Sequence, residues 1–200
     1  MSELPYTFPI HWYGDAMDAY APFASQPGAF MVQIDKRYTL IGWNPLKKFS
    51  STGAFVSIDD HTRIDTPSDA LQKFMAPLKE LPKDPYFPFY SGLVGYMLPE
   101  FSAASNDKSP NHGDKPDAWF GVYDPVLVFD TIEGRLTIIS MGLDKELRPN
   151  AALAEERATE LAQKMVRYNA ARNKSAEENH HESPIQFMPI EDIQNQLCPQ

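Results

Sequence analysis

Two hundred residues, 42% hydrophobic and 12% aromatic, can bury a sizeable core; this argues against a disordered chain and suits one domain, or one domain with a tail. Eighteen basic residues against 27 acidic ones leave a net charge of -9, and the cations are scattered apart from Lys47-Lys48, so the phosphate-neutralising stripe of a nucleic-acid binder is missing. No apolar run approaches the roughly 20 residues of a membrane helix, and a single cysteine, Cys198, cannot staple the fold, which reads as a cytoplasmic protein.

The N-terminus carries neither the basic stretch nor the apolar run of a secretion signal. Residues 6–12 alternate loosely and read as a strand. Asp15 can then N-cap a short helix over residues 16–20 by accepting from orphan backbone N–H groups. Pro27-Gly28 marks a turn. Residues 29–34 and 38–43 are strand-like with only Asp35-Lys36-Arg37 between them, which predicts an antiparallel hairpin broken after its second strand by Asn44-Pro45. Phe49 and residues 54–58 suggest two more short strands about Thr52-Gly53, with Asp59-Asp60 turning after them. Thr66-Pro67 sets a capping residue before proline at the first helical position, and Asp69 adds negative charge to the first turn. Ala70, Leu71, Phe74, Met75 and Leu78 then recur on one face, and Pro77 ends or bends the helix.

Residues 88–97 form an apolar run in which Gly92 and Gly95 permit close backbone packing; with no GxGxxG and no lysine-serine sequel, a phosphate cradle is not indicated. Residues 102–115 are polar and read as a mobile surface loop. Residues 119–130 and 135–141 predict strand, turn at Glu133-Gly134, and strand. Residues 149–172 predict a helix whose apolar face is Leu153, Leu161, Met165, Val166 and Tyr168. From Asn173 to Pro184 the chain is polar and reads as a linker; residues 185–200 regain Phe187, Met188, Ile190, Ile193 and Leu197 without completing a domain. The expected organisation is a domain over residues 1–172 and a linker over 173–200.

Catalytic signatures are missing: there is no nucleophile elbow, HExxH or CxxC. His180-His181 beside Glu177, Glu178 and Glu182 reads as a solvated charge run, because nothing fixes a ligand geometry there. His11, His61 and His112 read as lone surface histidines, and Asp59-Asp60 as a solvated turn. Phe87, Phe89, Tyr90, Tyr96, Trp119, Phe120 and Tyr123 have no cationic neighbours to favour base stacking, so they read as core. Arg37, in the hairpin connection, either ties down a carboxylate or lies on the surface. No catalytic residue, metal ligand or cofactor site is assigned to this chain.

Five segments together carry a resemblance. Arg37-Tyr38-Thr39-Leu40-Ile41-Gly42-Trp43-Asn44-Pro45 resembles the R-Y-S-F-I-G-x-D-P signature of component I of anthranilate synthase and aminodeoxychorismate synthase. Pro67-Ser68-Asp69-Ala70-Leu71 is similar to the helix that follows it in those proteins. Residues 88–96 resemble their P-F-x-G-G-x-V-G-Y strand, with Ser91 in place of the first glycine. Residues 116–130 are similar to their P-D-x-x-x-x-x-Y-D-x-x-L-V-x-D segment, and residues 134–139 match the strand after it. The order and spacing agree from about residue 29 to residue 172.

The resemblance implies an α+β fold, a mostly antiparallel sheet with helices packed on one face. It implies the N-terminal scaffold or regulatory part of a chorismate-utilising enzyme, which aminates chorismate with glutamine-derived ammonia. The partners it implies are a C-terminal chorismate-binding domain of the same polypeptide, holding the catalytic residues and the Mg²⁺ ligands, and a glutaminase subunit or domain. A sheet face that met the missing domain is expected to be apolar and exposed, or covered by self-association with a second copy. The family's N-terminal region also carries an effector pocket whose first contact motif is L-L-E-S; here the run is Met31-Val32-Gln33-Ile34. Val32, Gln33, Ile34, Lys36, Arg37 and Tyr38 are therefore the candidate, degenerate effector residues. Losing the serine hydroxyl and glutamate charge removes partners for an amino acid's ammonium group. Weak tryptophan feedback or none is expected, which favours the aminodeoxychorismate type, in folate-precursor synthesis, over anthranilate synthase in tryptophan synthesis. A free-standing small-molecule-binding module of the same fold is the alternative from a different class.

Overall fold

The computed structural model describes residues 4–81, 87, 89–101 and 115–181, with side chains to residue 173 apart from Glu100. The chain divides into two compact units, Met1–Val166 and Arg167–Gln200. Among the described residues are ten strands: β1 (Tyr6–Ile10), β2 (Phe30–Gln33), β3 (Tyr38–Gly42), β4 (Lys47–Thr52), β5 (Phe55–Ile58), β6 (His61–Ile64), β7 (Gly92–Met97), β8 (Ala118–Tyr123), β9 (Val126–Asp130) and β10 (Arg135–Ser140). Three α-helices accompany them: α1 (Ala16–Tyr20), α2 (Pro67–Met75) and α3 (Ala151–His181). The α+β fold expected from the sequence is present, and its strands fall into two antiparallel sheets. The first has the order β1-β10-β9-β3-β2 and the second β6-β5-β4-β8-β7.

The run 119–130, continuous in sequence, is divided by Asp124-Pro125, and the chain changes sheets there. Proline cannot donate to a ladder, and the Asp124 carboxylate is turned inward. It accepts from the backbone N–H groups of Met141 at 2.7 Å and Leu143 at 2.9 Å. It also accepts from the Ser140 hydroxyl at 3.2 Å and from Arg157 of α3 at 2.8 Å. The Asp124 side chain is fully buried, and the Arg157 guanidinium also donates to the Leu143 carbonyl. One carboxylate thus binds the crossing between sheets, the segment after β10 and the start of α3.

Two cores follow from strand alternation. Leu40, Val126, Val128 and Ile139 of the first sheet cluster with Tyr123 of the second, and Trp119, Val94, Phe30 and Tyr38 pack around them. Phe49, Val56, Ala118 and Val122 of the second sheet pack with Ala70, Leu71 and Phe74 of α2. Burial of each such large apolar side chain contributes about 1.5–3 kcal/mol. On the other face of the first sheet, Ile41, Leu127, Leu136 and Ile138 are buried. The two glycines of β7 have different causes. A Cβ on Gly95 would sit 2.0 Å from the Trp119 carbonyl oxygen, so close pairing with β8 requires glycine. Gly92 instead has φ +139 and only ordinary contacts around it, so its backbone conformation is what selects glycine.

Local expectations are mostly met. Asp15 caps α1 in a reciprocal box with Asp18, and α2 ends before a 3-10 turn containing Pro77. Thr66 occupies the N-cap of α2 but its side chain makes no capping bond. Strand β6 was not expected; its four residues are all exposed, so no apolar alternation announces it. The apolar face of α3 also differs: Val166 is exposed, and the buried stripe is Ala154, Ala158, Leu161, Ala162 and Met165. Alanine lets a helix approach closely but gives a weak periodic signal. Helix α3 continues to His181 through residues that read as linker, because Lys174, Ala176, Glu177 and Glu178 are good helix formers and no proline intervenes before Pro184. Of the loop expected over residues 102–115, all but Lys115 lies outside the described residues, as does the apolar stretch 185–200.

Candidate functional site

The six candidate effector residues lie along one hairpin at the edge of the first sheet, where, among the described residues, β2 pairs only with β3. Alternation puts Phe30, Val32 and Ile34 on one face and Gln33 on the other. Val32 is 43% exposed and Ile34 44%, unusually open for apolar residues, while Gln33 and Lys36 are exposed as well. Tyr38 is half-buried and joins the core between the sheets. The turn is built by Asp35, whose carboxylate oxygen accepts from the N–H groups of both Arg37 and Tyr38 at 2.7 Å. Such side-chain capping is how aspartate closes a tight connection.

Arg37 ties down a carboxylate. Its guanidinium donates to Asp130 at the end of β9, with Nε at 2.8 Å and Nη2 at 2.7 Å from the same oxygen. The other Asp130 oxygen accepts from the N–H groups of Ile132 and Glu133, closing the β9–β10 turn. The Thr131 N–H donates to the Arg37 carbonyl at 2.8 Å, and the Thr131 hydroxyl bonds the carbonyls of Lys36 and Arg37. Two hairpin turns 93 residues apart are thereby locked together. Burial opposes ionisation of Asp130, but the Arg37 hydrogen bond and the two turn amides outweigh it and hold the carboxyl below its ordinary value. Arg37 is raised chiefly by its hydrogen bond to Asp130. Neither effect poises a group for proton transfer near neutral pH. Nothing local in the sequence pairs these residues; the available signal was an aspartate closing the 116–130 segment.

Around this hairpin the tyrosines and aromatics serve packing. The Tyr123 hydroxyl donates to the Gly28 carbonyl at 2.7 Å, and burial pushes its pKa up to about 12. The Ser91 hydroxyl donates to the Tyr123 carbonyl at 3.0 Å, so serine at this point of the glycine-containing run anchors β7 to the end of β8. Asp59 exchanges backbone and side-chain hydrogen bonds with Lys48, which makes the Asp59-Asp60 pair a structural turn. His11 bonds the Tyr13 hydroxyl at 2.6 Å on the surface, His61 opens β6, and His112 lies outside the described residues. Among the described residues no group of three His, Cys, Asp or Glu side chains is placed to hold a metal, and no helix is long and apolar enough to cross a membrane.

The second sheet has one face under α2 and another that is partly open. On that open face Phe55 and Ile64 stand directly opposite each other across β5 and β6, 59% and 76% exposed. The next row reads Thr62, Ser57, Ser50, Trp119 and Tyr96 across all five strands. The Ser57 and Thr62 hydroxyls bond each other at 2.6 Å, and Tyr96 is 41% exposed. Lys48 is the one charged residue that these strands contribute to it, in a chain of net charge -9.

This two-sheet α+β domain is similar in sequence to component I of anthranilate synthases. It is 27% identical over 121 residues to anthranilate synthase component 1 of Lactococcus lactis, covering 56% of this chain and 26% of that protein. It is 29% identical over 146 residues to the chloroplastic anthranilate synthase alpha subunit 2 of Arabidopsis thaliana, covering 60% of this chain and 22% of that protein. The aligned part thus spans about a quarter of the length of these curated relatives. The crystal structure of anthranilate synthase component I from Streptococcus pneumoniae TIGR4 superposes with a TM-score of 0.45 at 20% identity, covering 87% of this chain and 36% of that one, too loose a fit to inform the reading. No protein-family profile matches the chain. Both sequence relatives are anthranilate synthase chains, and the likeness to them covers 56–60% of this chain.

Proposed function

We propose that this chain is the N-terminal scaffold part of a component I synthase that aminates chorismate with glutamine-derived ammonia, of the type that makes aminodeoxychorismate. The observation that carries the component I reading is the similarity to two anthranilate synthase chains about four times as long as the aligned part. The segments of resemblance include paired strands here: β3 pairs with β9 at the centre of the first sheet, and β7 pairs with β8 at one edge of the second. Chorismate chemistry, Mg²⁺ and the glutaminase contact belong, on this reading, to residues that this chain does not supply; its own role is to hold the sheets. The exposed pair Phe55 and Ile64, side by side on β5 and β6, supports this as a small apolar spot at which another surface can dock. The aminodeoxychorismate choice rests on Gln33 and Ile34, where the effector motif calls for glutamate and serine; Ile34 is a half-open apolar residue without a polar group to offer. A second reading, anthranilate as the product, is favoured by the names of both relatives.

The test is the gene itself. A reading frame that continues past the codon for Gln200 into an acidic, glycine-rich domain supports a synthase. A stop codon there overturns it in favour of a free-standing binding module.

A further inference from the structure

We draw no further inference here: the strongest candidate, the exposed apolar face of the second sheet around Phe55 and Ile64, already supports the reading above, and nothing in the structure shows what covers it.

Discussion

Asp124 offers the sharpest test of how this chain is held together. Replacing it with asparagine keeps the volume but removes the charge and turns one acceptor into a donor. The carboxylate serves four donors: Ser140, Met141, Leu143 and Arg157. An asparagine oxygen can still accept from the Met141 N–H, but its NH₂ group then faces the Leu143 N–H and the Arg157 guanidinium, donor against donor. Breaking a buried ion pair costs about 3–5 kcal/mol; Arg157 is 23% exposed and keeps some solvation, so the lower end, about 3 kcal/mol, applies. For a chain of this size each kcal/mol moves the melting temperature by about 2–4 °C, which gives a fall of roughly 6–12 °C. Thermal melts followed by far-UV circular dichroism read this directly. Arg157→Met leaves the fully buried Asp124 carboxylate with three neutral donors but no counter-ion, so it is expected to cost about 3–5 kcal/mol, at least as much as Asp124→Asn. A loss of less than about 2 °C for Asp124→Asn would refute the argument that this carboxylate fixes the crossing between sheets.

Four other outcomes are expected. Because the folded Asp130 carboxyl lies below its ordinary value, its contribution is fully present above the unfolded pKa of about 4 and is lost as pH falls through the lower folded value; Asp130→Asn should flatten the acid limb of melting temperature against pH, and an unchanged limb would contradict the Arg37 lock. Gly95→Ala must displace the Trp119 carbonyl or separate β7 from β8, with a loss of about 1–3 kcal/mol or more in urea titrations. Gly53→Ala, with φ +54 and open space, should lose only about 1 kcal/mol; equal losses would remove the steric argument. Isothermal titration with tryptophan should show no micromolar binding, and micromolar binding would show that Gln33 and Ile34 do not disable the site.

Much of the sheet framework was legible because its strands are bounded by strong local signals. Asp35 closes the β2–β3 turn, Glu133-Gly134 the β9–β10 turn, and the residues between are β-branched or aromatic. The division into two sheets was not legible, since β8 and β9 are equally apolar and the switch depends on where the Asp124 side chain finds donors 16 to 33 residues away. Strand β6 was hidden for the opposite reason. Its exposed residues carry no alternation, and it exists by pairing with β5. The buried face of α3 was legible in part: Leu161 and Met165 are buried as expected, but Ala154, Ala158 and Ala162 were missed because they bury little apolar area each, although they let the helix backbone come close. At the candidate hairpin, the residues and their order were readable. The role of Arg37 was not, because Asp130 is distant in sequence.

On the proposed function, these sheets scaffold a chorismate-aminating synthase. The most direct measurement is product analysis of the intact polypeptide encoded by the gene, incubated with chorismate, glutamine, Mg²⁺ and a glutaminase partner. Aminodeoxychorismate as the main product is the predicted result. Anthranilate alone would overturn the choice of product, and unconsumed chorismate would contradict the synthase reading itself.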